Sequence, residues 1–149
     1  MKKCTLALGC FWKPEENFKN KPGILKTEVG YAGGQKSEVT YEEVCLGNTG
    51  HAEVVRLSYD EEIISFKKIL DLFFKMHDPT QKDMQYPDIG KQYRSEIFYE
   101  TEEQKKEAEA AVIEKNLVFE GKIQTNISKI KNYCKAEEYH QKYIEKKGL

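Results

Sequence analysis

The sequence predicts an α+β fold. It would be a ferredoxin-like βαβ–βαβ two-layer sandwich, one sheet with helices packed on one side, with long loops and a C-terminal extension. Three observations predict it. Segments with strand-like and helix-like apolar periods alternate in βαβ–βαβ order. The 149 residues suffice for one core and not two, so residues 1–149 are read as a single domain. Hydrophobic residues make up 39% of the chain and include seventeen aromatic rings, too many for a disordered tail.

The elements follow in order. Cys4-Thr5-Leu6-Ala7-Leu8 reads as a short buried strand ending at Gly9. A short helix over 11–19 is stopped by Asn20-Lys21-Pro22-Gly23. Residues 24–31 form a second strand, broken by Gly33-Gly34, and residues 52–59 a third. Ser65 caps a helix with apolar residues at Phe66, Ile69, Leu70, Phe73 and Phe74, a 3.6-residue period. Residues 94–99 are a fourth strand. Thr101-Glu102-Glu103-Gln104 is a capping box for a helix reaching about Asn116. Residues 118–127 suggest one more strand, and 136–147 a terminal helix. Two loops, 34–50 and 77–92, are long for a compact domain, so both are expected to wall a site.

Composition excludes several roles. A net charge of −1 gives no electrostatic footprint for nucleic acid or anionic lipid. No apolar run approaches the roughly 20 residues of a membrane helix. Met1-Lys2-Lys3 before an apolar stretch faintly suggests a signal sequence, but no A-x-A site follows and Lys13-Pro14-Glu15-Glu16 closes the stretch. It is read as the first strand, and the protein as cytoplasmic. Cys4, Cys10, Cys45 and Cys134 form no C-x-x-C pair and share no ligand spacing with His51, His77 or His140, so no metal is expected. A near-neutral chain of this size is expected to be a monomer.

Cys10 is the first candidate for chemistry. It sits where a strand ends and a helix begins, and the free N–H groups of that helix start would stabilise a thiolate. On position alone a small core cysteine is the better reading. Phe11-Trp12 shifts it: two large aromatics after a turn cannot both point into the core, so one should line a cleft. Glu53 shares a strand face with Val55, Leu57 and Tyr59. At the end of an apolar face its carboxyl would be desolvated and held neutral, a proton donor beside a thiol. A solvated Glu53 just outside the sheet fits the pattern equally well. Tyr93 shares parity with Ser95, Ile97 and Tyr99, while Tyr41 and Asp88 lie in the two long loops. By pattern alone all three are ordinary residues. Cys4 shares parity with Leu6 and Leu8 and reads as core. His51 or His77 beside Cys10 would instead make a Cys–His hydrolase pair.

Gly9-Cys10-Phe11-Trp12 resembles the signature of the A-type peptide methionine sulfoxide reductases. The likeness continues through Val29-Gly30-Tyr31-Ala32-Gly33-Gly34, Thr40-Tyr41-Glu42-Glu43-Val44-Cys45 and Thr49-Gly50-His51-Ala52-Glu53-Val54-Val55. It resumes at His77-Asp78-Pro79-Thr80, Asp88-Ile89-Gly90-Lys91-Gln92-Tyr93-Arg94-Ser95 and Ala136-Glu137-Glu138-Tyr139-His140-Gln141, in family order over nearly the whole chain. The resemblance implies that Cys10 attacks the sulfoxide sulfur and becomes a sulfenic acid. Glu53 would protonate the oxygen, Tyr41 and Tyr93 would hold it, and Asp88 would fix the polar side of the pocket. Phe11 and Trp12 would cage the S-methyl group. The implied substrates are free and protein-bound methionine sulfoxide of the S epimer, with no bound cofactor; each such enzyme handles one epimer. The alternatives are the hydrolase and a non-catalytic redox sensor that keeps the pocket.

Three positions depart from the family pattern. Glu38-Val39 replaces a common Asn-Pro, and Tyr86 a common glycine. The third is a tail after Gln141 that lacks the resolving cysteine of many members. Cys134 or Cys45 would then resolve the sulfenic acid, or an external thiol such as thioredoxin, glutaredoxin or glutathione would. Cys134 is the preferred candidate, through a Cys10–Cys134 disulfide.

Overall fold

A computed structural model describes residues 1–149. Six strands form the main sheet: β1 (Lys2–Leu8), β2 (Ile24–Ala32), β3 (Ala52–Tyr59), β6 (Ser95–Tyr99), β7 (Asn126–Lys129) and β8 (Cys134–Lys135). Their spatial order is β7-β6-β1-β3-β2-β8. The central four, β6-β1-β3-β2, are antiparallel throughout, and only β7 runs parallel to its neighbour. The mixed α+β class is as the sequence predicts.

Register sorts the side chains into two faces. Leu6 lies opposite both Val55 and Ile97, Val29 opposite Val55, and Tyr31 opposite Glu53. These residues face helices α1 (Trp12–Phe18), α3 (Phe66–Met76) and α4 (Glu102–Asn116), whose Phe18, Ile69, Leu70, Phe73 and Ala108 complete the core. Burying each large apolar side chain contributes about 1.5–3 kcal/mol. The other face carries Gly30, Ala7, Ala32 and Ala52 beside Val54 and Phe98, and Ile130 and Tyr133 of the C-terminal segment pack against it. A Cβ on Gly30 would stand 2.7 Å from the Tyr133 ring.

The two N-caps form as expected, but the Thr101–Gln104 capping box does not close. Ser65 accepts from the Lys68 N–H, and Thr101 from that of Gln104. The Gln104 side chain reaches the Glu100 N–H rather than that of Thr101. No helix is long and apolar enough to cross a membrane.

Four other expectations need correction. The 34–50 loop contains a helix, α2 (Tyr41–Cys45), closed by a Thr40–Glu43 capping box. The 77–92 loop contains a two-stranded hairpin, β4 (Met84–Gln85) and β5 (Asp88–Ile89), and Tyr93 lies in a 3₁₀ turn, so strand parity does not orient it. The strand expected over 118–127 is only β7, because Glu120 and Gly121 both take positive φ and turn the chain. The terminal helix over 136–147 shrinks to α5 (Tyr143–Lys147). Gln141 prevents the longer helix: its amide accepts from the Val29 N–H and donates to the Val29 carbonyl, each at 2.9 Å, docking the segment on β2.

Candidate active site

Gly9 takes φ +97° at the end of β1, and that turn delivers Cys10 and Phe11 to the start of α1. A Cβ on Gly9 would lie 3.0 Å from Gln85, so the β4–β5 hairpin packs directly on the turn. The Gln85 side chain fixes the hairpin in turn, accepting from the Asp78 N–H at 2.8 Å and donating to the Asp78 carbonyl at 2.9 Å. Through this contact the second long loop carries Asp88 toward Cys10.

Glu53 leaves β3 on the helix-facing side and is only 2% exposed. Its Oε1 accepts from the Phe11 N–H at 3.2 Å, which holds the carboxyl against the turn that carries Cys10. Burial pushes its pKa up to about 8; the Phe11 N–H opposes the shift and the Asp88 charge adds to it. At neutral pH the carboxyl holds its proton. The desolvated reading of Glu53 is therefore the correct one.

Cys10 is half-buried. Burial pushes its thiol up to about 12, the Trp12 N–H lowers it, and Glu53, Asp88 and Cys45 raise it. The Trp12 N–H supplies the expected thiolate-stabilising contact, and burial outweighs it. Helix α1 spans seven residues, and one N–H does not offset burial beside two carboxyls. Below about pH 8 the neutral Glu53 no longer repels a thiolate, and burial is the main opposing effect left.

The remaining site residues converge on the same place. Phe11 is buried, its ring 5.6 Å from that of Tyr31. Trp12 is partly exposed and stacks on Tyr143 with centroids 3.8 Å apart. Tyr41 opens α2, one turn before Cys45. The Tyr41 and Tyr93 hydroxyls are held well above the usual phenol range, in both cases chiefly by burial. For Tyr93 the other causes are the charges of Glu53, Cys45, Asp88 and Cys10, which lie near enough to act on its hydroxyl.

Sequence reasoning gave no individual role to the C-terminal residues that support the site. Glu137 accepts from the Tyr31 hydroxyl at 2.8 Å and from the Tyr41 N–H at 2.9 Å. His140 is 1% exposed and accepts from the Trp12 indole N–H at 3.0 Å. The Glu137-Glu138-Tyr139-His140-Gln141 run was the available signal, but its contacts span about a hundred residues of sequence.

The two histidines of the hydrolase reading are engaged elsewhere. His77 bonds to the Phe73 carbonyl at 2.7 Å and the Ser95 hydroxyl at 2.8 Å. His51 bonds to the Asn132 carbonyl at 3.1 Å. Cys134 lies at the sheet edge, paired with Tyr31 of β2, and its thiol is 3.7 Å from the Val39 carbonyl. Cys45 is exposed and stands among the groups that act on Cys10. Cys4 is core.

No group of three or more His, Cys, Asp or Glu side chains is arranged to hold a metal ion. A surface cavity of about 440 Å³ lies elsewhere, between Lys3, Tyr59, Glu61 and Glu107, and contains none of these residues.

A family model described as peptide methionine sulfoxide reductase matches residues 2–148. The peptide methionine sulfoxide reductase MsrA of Pelagibacter ubique is 54% identical over 147 residues, covering 99% of this chain and all of the relative. The reduced form of Mxr1 from Saccharomyces cerevisiae superposes with a TM-score of 0.94 at 39% identity, over 99% of this chain and 86% of that one. Mxr1 in complex with Trx2 gives a TM-score of 0.67 at 29% identity, over 95% and 84% of the two chains.

Proposed function

The chain belongs to the peptide methionine sulfoxide reductase family, and on that premise we propose how its residues carry out the family's reaction. The protein is a thiol-dependent oxidoreductase that converts methionine sulfoxide to methionine. The observation that carries the assignment of roles is the buried Glu53 carboxyl, neutral at physiological pH and tied to the backbone beside Cys10.

A sulfoxide is polar at oxygen and apolar at methyl, so its site needs donors on one wall and rings on the other. Phe11 and Trp12 form the apolar wall and take the S-methyl group. The Tyr41 and Tyr93 hydroxyls donate to the sulfoxide oxygen, with Asp88 ordering the polar side. Glu53 gives its proton to that oxygen as the Cys10 sulfur attacks the sulfoxide sulfur. The resting thiol is protonated, and its proton passes to the Glu53 carboxylate formed in the same event, which restores the acid. The S–O bond breaks and the hydroxyl ends on the Cys10 sulfur; methionine sulfur gains two electrons and Cys10 loses two. The net products are methionine and a Cys10 sulfenic acid. The S epimer, free or protein-bound, is the proposed substrate.

A thiol then condenses with the sulfenic acid, releasing water and forming a disulfide. Of the chain's other thiols we assign this step to Cys45, which shares the neighbourhood of Cys10. A second thiol from a protein dithiol opens that disulfide. The yeast relative's complex with Trx2 supports a thioredoxin in this role; glutaredoxin or glutathione would do the same chemistry.

The test is methionine formation from methionine S-sulfoxide with dithiothreitol as reductant. Wild type turns over, Cys10→Ser is inactive, and Glu53→Gln is slowed about 10²–10⁴-fold, as for loss of a general acid. A Glu53→Gln enzyme with wild-type rates would remove the assignment. With thioredoxin as reductant, Cys45→Ser is slower than wild type and Cys134→Ser is not.

A further inference from the structure

One imidazole touches three of the residues assigned to the substrate pocket. The His140 ring centroid lies 5.2 Å from that of Phe11, 5.8 Å from Trp12 and 4.4 Å from Tyr41. Its Nδ1 accepts the Trp12 indole N–H at 3.0 Å. That bond fixes the tautomer: an indole only donates, so Nδ1 is bare and the ring proton sits on Nε2. Nε2 is buried and has no partner. Buried polar atoms are normally satisfied, so the fold tolerates this one for the bond made at Nδ1. Burial also lowers the imidazole's pKa, which keeps Nδ1 available as an acceptor at neutral pH.

We propose that His140 is a positioning residue for substrate binding: its Nδ1 clamps the indole of Trp12 in the plane that forms one side of the methyl cage. Trp12 needs such a clamp because it is partly exposed and its other face rests on Tyr143, in a five-residue helix near the end of the chain. Tyr143 sets the stacking distance, and His140 sets the rotation of the ring within that stack. Without the acceptor the indole can pivot on Tyr143, and the cage widens before substrate arrives. The effect belongs to binding rather than to bond breaking. The one hydrogen bond of the His140 side chain is to the indole, and its contact with Tyr41 is ring packing that a phenylalanine keeps.

The test compares His140→Phe, which keeps a ring against Phe11 and Tyr41 but loses the acceptor, with His140→Asn, which restores an acceptor near the Nδ1 position. For methionine sulfoxide reduction with dithiothreitol, His140→Phe raises KM roughly three- to tenfold, the worth of one hydrogen bond, and leaves kcat within about twofold. His140→Asn recovers part of that loss. The chain has a single tryptophan, so acrylamide quenching of its fluorescence reports on Trp12 alone and increases in His140→Phe. An unchanged KM, or a fall in kcat at constant KM, overturns the proposal. A readout on wild type covers the case of a variant that does not fold. The single indole N–H exchanges with deuterium at least about tenfold more slowly than free indole if the clamp exists, and at the free rate if it does not. The inference rests on Trp12 lining the pocket. A wild type that fails to turn over defeats the reductase mechanism, whereas an active wild type with an indifferent His140→Phe defeats only this proposal.

Discussion

Glu53 shows at the scale of one residue how function and stability oppose each other. Its carboxyl is held neutral up to about pH 8, against an ordinary value of 4.5. Between those values the folded state keeps a proton that the unfolded chain has lost, so stability falls as pH rises through that window. At pH 7 the cost is on the order of 3 kcal/mol. Glu53→Gln cannot ionise, so the nearly inactive variant is more stable than wild type by up to about this amount at pH 7. The gain disappears below about pH 4.5. Urea titrations of both proteins at pH 7 and pH 4 check this; equal stability at pH 7 would contradict it. The rate itself falls as pH rises above about 8, where the acid loses its proton. The sequence singled out Cys10 through the Phe11-Trp12 pair after its turn and Glu53 through the apolar strand face it shares, but the pattern alone left a bland reading open for each. The thiol's raised pKa was not legible, because it depends on burial and on carboxyls that arrive from other elements.

At the scale of elements, the site is assembled by short pieces that pattern analysis does not detect. The 3.6-residue stripe of α3 and the Thr101 cap of α4 were legible, since both repeat or end within the element. Helix α2 has five residues and β8 two, lengths at which no apolar period exists. Yet α2 places Tyr41 and Cys45, and the β4–β5 hairpin places Asp88. Two substitutions test this arrangement. Gly9→Ala adds a Cβ in a positive-φ turn against Gln85, and is expected to cost about 1–2 kcal/mol and to lower activity by displacing the hairpin. Thr40→Ala removes the α2 cap at about 1 kcal/mol and raises KM for methionine sulfoxide through Tyr41. Thermal melts and steady-state kinetics measure both. A Gly9→Ala protein with wild-type melting and rates would show that the turn and hairpin are independent of the site.

Across the whole molecule, the C-terminal segment is what closes the structure. It packs Ile130 and Tyr133 against the second face of the sheet, docks on β2 through Gln141, and ends at the pocket with His140 and Tyr143. Sequence order could not reveal this, because each contact pairs residues about a hundred positions apart. The three histidines are all built into the fold as neutral groups. His51, His77 and His140 have pKa values lowered chiefly by burial, His77 to about 4. Below pH 6.5 the unfolded chain takes up protons that the folded one refuses, so the histidines lower stability as pH falls from about 6.5 toward 4, while Glu53 acts in the opposite direction over the same range. The His77 part is therefore read as the difference in denaturant midpoint between His77→Gln, which cannot protonate, and wild type at pH 7.5, 5.5 and 4.5. That difference should shift in favour of the variant as pH falls, and a difference independent of pH would exclude His77 as a contributor.

The central claim is that Cys10 takes the oxygen from methionine sulfoxide with no other source of electrons. A single-turnover experiment tests it most directly: reduced enzyme is mixed with excess methionine S-sulfoxide in the absence of any reductant, and methionine and the state of each thiol are measured. The account predicts one methionine released per chain and Cys10 oxidised, as a sulfenic acid or as a disulfide with Cys45. Methionine released while Cys10 remains a free, alkylatable thiol would contradict it.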